Sequence, residues 1–129
     1  MCYISAEPDD WGPKEVSGRK VNRSPIHFLV INRKGLGTRN EVQTLVGYPF
    51  STTNPGVSAS VDGKTYPMVT EGEAAWLAVE ADEASFVEAM KAGTKMVIKG
   101  TSSKGNVLSD TYSLSGVTAA LTEIGKACS

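Results

Sequence analysis

The stretch VSASVDGKTYPM, residues 57–68, decides the fold of this chain. Its first five residues alternate strictly between apolar residues and serine, which is the pattern of a half-buried antiparallel strand. Asp62-Gly63 offers two residues that tolerate positive φ, so the pair predicts a tight hairpin turn from which residues 64–68 return. Pro67 cannot donate a ladder hydrogen bond, and we therefore expect it at a sheet edge or at a strand end.

Strand-like segments continue on both sides of this hairpin. Residues 26–32 carry apolar side chains on both faces, which predicts a central, covered strand. Further strands are expected at residues 2–6, 41–48, 74–79, 95–100 and 107–114, and the last two form a second hairpin. Residues 11–25, in contrast, are polar and show no usable periodicity, so they predict a connection that runs over the surface.

Two helices are expected after these first strands. The first has Asp82 as its N-cap, ends at Gly93, and buries the stripe Phe86, Val87 and Met90. The second is capped by Ser115 and buries one face, which consists of Val117, Ala120, Leu121, Ile124 and Cys128. About seven short strands with two minor helices favour an antiparallel β-sandwich, since parallel strands would need helical crossovers between them. We expect a single domain over residues 1–129.

The composition is that of a globular protein, with 40% hydrophobic and 21% charged residues. Thirteen basic and fourteen acidic side chains give a net charge of -1, so we expect no nucleic-acid partner. The longest apolar run is residues 28–31, far short of the ~20 residues that a membrane-spanning helix needs. No signal peptide opens the chain, so it is either cytosolic or a mature portion whose leader has been removed.

The two cysteines lie at the extreme ends of the chain, at Cys2 and Cys128. Folded domains often bring their termini close together, and a bridge between these two residues would close nearly the whole chain into one loop. In the chain-entropy model such a bridge restricts the unfolded state by about 4–5 kcal/mol. Two unrelated free thiols are the alternative, and the residues alone leave both readings open.

The usual catalytic patterns are incomplete in this sequence. His27 is the only histidine, which excludes sites with several histidine ligands, and its position inside a strand favours a structural or solvent-facing role. Gly35-Leu36-Gly37 lacks the third glycine and the following helix of a phosphate-binding loop, so we interpret it as a hairpin turn. We therefore expect no enzyme activity, no metal and no cofactor.

The acidic pairs predict solvated surface, because nothing in their sequence context indicates the burial that general-acid catalysis requires. They are Asp9-Asp10, Glu71 with Glu73, and Asp82-Glu83.

One polar cluster follows the central strand and is a possible ligand or partner loop. It consists of Arg33, Lys34, Arg39, Asn40 and Glu41. Binding residues often lie in such loops, and two arginines could clamp a carboxylate or a phosphate. A soluble charged turn accounts for the same residues.

Several blocks are familiar when they are taken together in order. They are CYIS with Pro8 (2–8), RNE running on to GYPF (39–50), AAW (74–76), VEAMKAG (87–93), KGTS (99–102), YSLSG (112–116), AAL (119–121) and Cys128. In order and spacing, over nearly all of the chain, this set resembles the invasion-associated locus B family of exported bacterial proteins.

The resemblance implies an immunoglobulin-like β-sandwich in a periplasmic or secreted protein, from a family linked in part to entry into host cells. Export would place Cys2 and Cys128 in an oxidising compartment, where a disulfide between them is expected. The family offers no catalytic residues to carry over. Its members usually have a leader and a tryptophan-containing strand before the first cysteine, so we expect such a segment upstream of Met1.

The leading hypothesis is therefore an exported, non-enzymatic interaction protein with a protein partner, whose oligomeric state the sequence does not indicate. The alternatives are a periplasmic ligand-binding domain that uses the Arg33 and Arg39 loop, and a hydrolase with an unrecognised site. A flat apolar surface would favour the partner protein, whereas a concave pocket that gathers His27 with acidic side chains would favour the enzyme.

Overall fold

Two antiparallel five-stranded sheets form the body of the protein in the computed structural model, which describes residues 2–32, 40–53, 56–77 and 79–127. Within these ranges the chain forms twelve strands and two helices. In chain order they are β1 (Cys2–Ala6), β2 (Asp10–Gly12), β3 (Glu15–Val16), β4 (Arg19–Lys20), β5 (His27–Asn32), β6 (Asn40–Leu45), β7 (Ser58–Val61), β8 (Lys64–Pro67), β9 (Val69–Glu71), β10 (Ala74–Trp76), α1 (Glu80–Ala92), β11 (Lys95–Thr101), β12 (Val107–Ser113) and α2 (Val117–Ala127).

The strands are arranged in two large sheets and one small one. The first sheet has the order β1-β5-β6-β10-β9, the second has the order β2-β12-β11-β7-β8, and β3 pairs only with β4. The fold class expected from the sequence, mainly β with antiparallel sheets and two helices, is confirmed, and the layout is compatible with an immunoglobulin-like sandwich.

The hairpin at residues 57–68 forms as the sequence predicts. β7 pairs with β8, and Asp62 and Gly63 occupy the turn with φ angles of 47° and 93°. Pro67 lies on β8, which is an edge strand of the second sheet, so its missing N–H interrupts no ladder. Likewise β5 lies between β1 and β6, which confirms that residues 26–32 form a central strand of the first sheet.

The structure differs from the sequence-based expectations at three local points. The first helix has Val79 at its N-cap position, so Asp82 lies in the first turn. Strand β9 was not expected, because Val69–Glu71 is too short to show a pattern. Residues 11–25 are more than a surface connection, since they complete β2, which pairs with β12, and they carry the buried side chain of Arg23.

The core lies between the two sheets and is closed by the helices. Phe28 of the first sheet and Tyr112 of the second have ring centroids 5.7 Å apart. Phe86 of α1 contacts both sheets, with its ring centroid 6.3 Å from that of Phe28 and 5.1 Å from that of Tyr66. Helix α2 adds Leu121 and Ile124 to the same buried cluster. Both helices therefore pack toward the interior side of the first sheet.

Helix α2 also packs against β1, the strand that begins at Cys2. Neither helix of the described residues is long and apolar enough to cross a membrane.

Candidate interaction surface

The outer face of the first sheet is the surface that points away from the core, and it is unusually apolar. Alternate residues of a strand point to opposite faces, and on these strands Phe28, Val30, Val42, Thr44 and Ala75 point inward and are buried. The residues between them form the outer face: Tyr3, Ser5, His27, Leu29, Ile31, Glu41, Gln43, Leu45, Val69, Glu71, Ala74 and Trp76.

The pairing register lines these side chains up in rows across the sheet. The central row runs Ser5, Leu29, Gln43, Trp76 and Val69, and a neighbouring row begins with Tyr3 opposite Ile31. Tyr3 is 57% exposed and Val69 is 43% exposed, which marks them as large apolar side chains in contact with solvent. A shallow groove of about 370 Å³ lies on this face, lined by Tyr3, Ser5, His27, Leu29, Ile31 and Leu45.

The second sheet provides an internal comparison, because its outer face has the ordinary polar character. The corresponding central row runs Thr65, Ser60, Val97, Thr111 and Asp10. A sheet face that is exposed to water normally carries such polar residues, and the first sheet departs from this rule.

No described helix or strand covers the outer face of the first sheet. The buried residues of both helices belong to the inner cluster, together with the inward side chains of β5 and β6. The apolar pattern of residues 26–32 predicts cover on both sides. On the outer side Ile31 is buried, whereas Leu29, and Leu45 on the neighbouring strand, are half-buried.

His27 lies half-buried in the groove beside tyrosine, serine and aliphatic side chains, and the described lining contains no carboxylate. Along the strand pairs that include His27, Glu71 lies three strands away, which is about 14 Å at the usual strand spacing. Among the described residues no group of three histidine, cysteine or acidic side chains is placed to hold a metal ion.

Only two residues of the polar cluster proposed from the sequence, Asn40 and Glu41, are among the described residues. Arg33, Lys34 and Arg39 lie outside the described residues, so their role stays a prediction. Asn40 and Glu41 begin β6, and the Asn40 side-chain oxygen accepts a hydrogen bond of 3.4 Å from the Asn32 amide.

Of the two cysteines, one is among the described residues. Cys2 is half-buried in β1 and packs against the core, whereas Cys128 lies outside the described residues. Their pairing therefore stays a prediction.

A buried ion pair that the sequence analysis missed joins the two sheets. The guanidinium of Arg23 donates from Nη1 to Asp110 Oδ1 at 2.5 Å and from Nη2 to Oδ2 at 2.9 Å. The side chains are 2% and 3% exposed, respectively. Arg23 also donates to the Val46 carbonyl from Nε and Nη2, at 3.0 and 2.7 Å, and its Cζ lies 4.8 Å from the ring centroids of both Trp11 and Tyr48.

This pair changes the acidity of the neighbouring phenols. Burial and, to a smaller extent, the negative charge of Asp110 raise the pKa of Tyr48 to about 12, while Arg23 opposes the change. Burial, followed by Asp110, also raises the pKa of Tyr112 above its ordinary value. Both phenols therefore remain neutral in ordinary conditions, and the cluster serves as structural support beneath the sheets.

The expectation that the acidic pairs are all solvated is wrong for Glu83. Its side chain lies in the first turn of α1, is 3% exposed as a residue, and accepts a hydrogen bond of 2.9 Å from the Val42 backbone N–H. Strand β10 ends at Trp76, opposite Gln43 of β6. The Glu83 carboxylate therefore accepts the hydrogen bond of the Val42 N–H that a further strand residue would otherwise accept.

A comparison with protein families agrees with the resemblance seen in the sequence. The model of the Invasion associated locus B (IalB) protein family matches residues 16–125. The chain belongs to the invasion associated locus B family. The matched range includes Arg23, Asp110 and all of the outer face except its β1 residues. No curated protein and no solved structure shows significant similarity to the chain. Proteins of this family are of the invasion-associated type and belong to the envelope or secreted class.

Proposed function

We propose that this invasion associated locus B family protein is an exported, non-enzymatic protein that binds a protein partner through the outer face of its first sheet. The observation that carries the proposal is a group of apolar side chains on that face with no described helix or strand packed on it: Tyr3, Leu29, Ile31, Leu45, Val69 and Trp76. Contiguous exposed apolar patches on soluble proteins commonly mark interaction sites.

The composition of the face favours a protein as the occupant. It combines Tyr3, Trp76 and leucines with the polar groups of His27 and Gln43, and aromatic anchors with few charges are typical of the centre of protein interfaces. Its only described carboxylates are Glu41 and Glu71, and it presents no described lysine or arginine to anionic lipid. Affinity would come mainly from burying the aliphatic and aromatic side chains.

Site-specific photocrosslinking tests this proposal. Leu29 is replaced by a benzophenone amino acid in one variant and Val97 in a matched control, because both are half-buried apolar residues at the centre of an outer sheet face. We expect one discrete crosslinked protein from position 29 and none from position 97 in cells that express the chain. The purified partner should then bind the purified chain and lose binding with Leu45→Glu.

Three results would count against the proposal. They are equal crosslinking from the two positions, crosslinks from position 29 to lipid alone, and crosslinks only to a second copy of the chain. Light scattering of the purified chain separates self-association from the proposed partner binding.

Export also leads us to propose the disulfide between Cys2 and Cys128. The support is that α2 packs against β1, so the element that ends one residue before Cys128 lies beside the strand that begins at Cys2. Alkylation followed by mass measurement should leave both thiols unmodified until a reductant is added, and reduction should lower the melting temperature. Free alkylation of both thiols in the native protein would exclude the bridge.

A further inference from the structure

A second candidate site lies outside the outer face. A cleft of about 1110 Å³ opens between the β3–β4 hairpin and the turn that joins β11 to β12. Its floor is formed by Gly47, Tyr48 and Pro49, which follow β6. This volume exceeds the roughly 300–1,000 Å³ of typical small-molecule sites, so the cleft has room for an oligomer.

Backbone hydrogen bonds hold the two walls of the cleft to its floor. The Ser24 N–H donates to the Gly47 carbonyl at 2.8 Å on one side, and the Ser103 N–H donates to the Pro49 carbonyl at 2.8 Å on the other. Arg23 fixes the first wall more firmly through its buried pair with Asp110. The cleft is therefore preformed, which reduces the ordering cost of binding.

The rim of the cleft is positively charged although the chain as a whole carries a net charge of -1. Arg19 and Lys20 on β4 and Lys104 in the opposite turn are exposed, and none of them forms an ion pair with a described residue. Within the described part of the chain, Glu73 is the one acidic side chain in the lining. The charge of Arg23 is balanced by Asp110, so the cleft favours an anion.

Neutral hydrogen-bonding groups fill the space between these cations. The lining includes hydroxyl and amide side chains that can both donate and accept: Asn22, Ser24, Ser102, Ser103 and Asn106. The one aromatic residue of the described lining, Tyr48, is buried against Arg23 and offers no open ring on which a nucleobase could stack. A ligand that carries both hydroxyl groups and acidic groups would therefore complement the lining of the cleft.

We infer that the cleft binds an acidic glycan, meaning a sugar oligomer that carries carboxylate, sulfate or phosphate groups. Arg19, Lys20 and Lys104 contact the acidic groups, and the serine and asparagine side chains contact the sugar hydroxyls. This site is separate from the outer face, so it stands even if the proposed protein partner is wrong.

Calorimetric titration with defined oligomers tests the inference. The ligands are hexasaccharides that carry carboxylate, sulfate or phosphate, with neutral maltohexaose and an oligo-glutamate peptide as comparisons. We expect at least one acidic hexasaccharide to bind in a salt-dependent manner, while maltohexaose does not bind and the peptide binds at least tenfold more weakly.

A matched pair of variants locates the site. Arg19→Gln/Lys104→Gln should weaken binding of the acidic hexasaccharide at least tenfold. Lys64→Gln/Lys95→Gln removes the same charge at exposed positions outside the cleft lining and should change the affinity less than twofold. All four side chains are exposed, so thermal melting should show both variants folded.

Three results would overturn the inference. The first is that none of the three acidic hexasaccharides binds, and the second is that the oligo-glutamate peptide binds as tightly as they do. The third is that the two double variants lose equal affinity, because the binding would then follow overall charge.

Discussion

Replacing Asp110 with alanine leaves the guanidinium of Arg23 buried without its counter-ion. Both side chains are almost fully removed from water, and the two contacts at 2.5 and 2.9 Å form a bidentate pair. Removal of one member of a buried ion pair typically costs about 3–5 kcal/mol, because the remaining charge is neither solvated nor compensated. Arg23 keeps its contacts to the Val46 carbonyl and to two aromatic rings, so we expect a loss near the lower end, about 3 kcal/mol.

An exposed ion pair in the same chain serves as the control. Lys14 Nζ lies 2.9 Å from Asp10 Oδ1, but these side chains are 60% and 76% exposed. Solvent screens such pairs, so Asp10→Ala should cost only a small fraction of what Asp110→Ala costs. The two substitutions remove the same group from pairs of similar length, and the difference therefore measures the effect of burial.

Urea unfolding followed by far-ultraviolet circular dichroism measures both losses. For a chain of this size, about 3 kcal/mol corresponds to a fall in melting temperature of roughly 10–15 °C. The double variant Arg23→Met/Asp110→Leu replaces both charges by apolar groups and should be more stable than Asp110→Ala alone. The reasoning is refuted if Asp110→Ala costs no more than Asp10→Ala. It is also refuted if the stability lost by the double variant equals the sum of the losses of Arg23→Met and Asp110→Leu measured separately.

Gly47→Ala should destabilise the fold by more than about 2 kcal/mol in thermal melts, because Gly47 has φ +71° and a Cβ there would lie 2.1 Å from the Ser24 carbonyl oxygen. Gly63→Ala, with φ +93° but open space around it, should lose less, and equal losses would contradict the steric argument. Tyr48 should ionise at about pH 12 in ultraviolet titration. Since the phenol in the unfolded chain ionises near 10, stability should hold below pH 10 and fall from 10 toward 12, and Tyr48→Phe should remove part of that fall. In urea unfolding Glu83→Ala should cost about 1–3 kcal/mol, because a buried backbone N–H loses its acceptor, whereas Glu83→Gln retains an acceptor and should cost less.

The strands that could be predicted are those that their own residues specify. The hairpin at residues 57–68 needs only strict alternation and the Asp62-Gly63 turn, both of which are local. The same is true of the second hairpin, where β11 and β12 are adjacent in sequence and pair over seven residues. Short segments such as β2 and β9 carry no pattern of their own; β2 forms against the seven-residue strand β12, and β9 forms against β10, which is itself paired with β6.

The buried charges were missed for the same physical reason, although two signals were present. Arg23 and Asp110 are 87 residues apart, and no local rule relates them. Asp110 does lie between Leu108 and Tyr112 on the inward side of β12, and an acid at an inward position requires a buried partner. Glu83 similarly continues the helical stripe of Phe86, Val87 and Met90 at the spacing of one turn.

The proposed interaction surface on the outer face follows from the sequence pattern of β5 together with the topology of the first sheet. The apolar residues on both faces of β5 predict a strand that is covered on both sides; the inward side chains are fully buried, whereas Leu29 on the outer face is half-buried. The first sheet exposes Tyr3 and Val69 on its outer face, whereas the central row of the second sheet follows the usual polar rule, and this contrast supports the proposed interaction surface. The proposed surface could not be predicted from the sequence alone, because the rows that form it depend on the order of the strands.

The two tryptophans of the chain provide the most direct test of binding through this face. Both are half-buried, but Trp76 lies on the outer face of the first sheet and Trp11 lies on the second sheet beside Arg23. Hydroxyl-radical footprinting compares their oxidation rates in the purified chain and in intact cells that express it. We expect Trp76 to be protected several-fold in cells relative to Trp11. Equal changes at the two tryptophans would contradict a partner on the outer face.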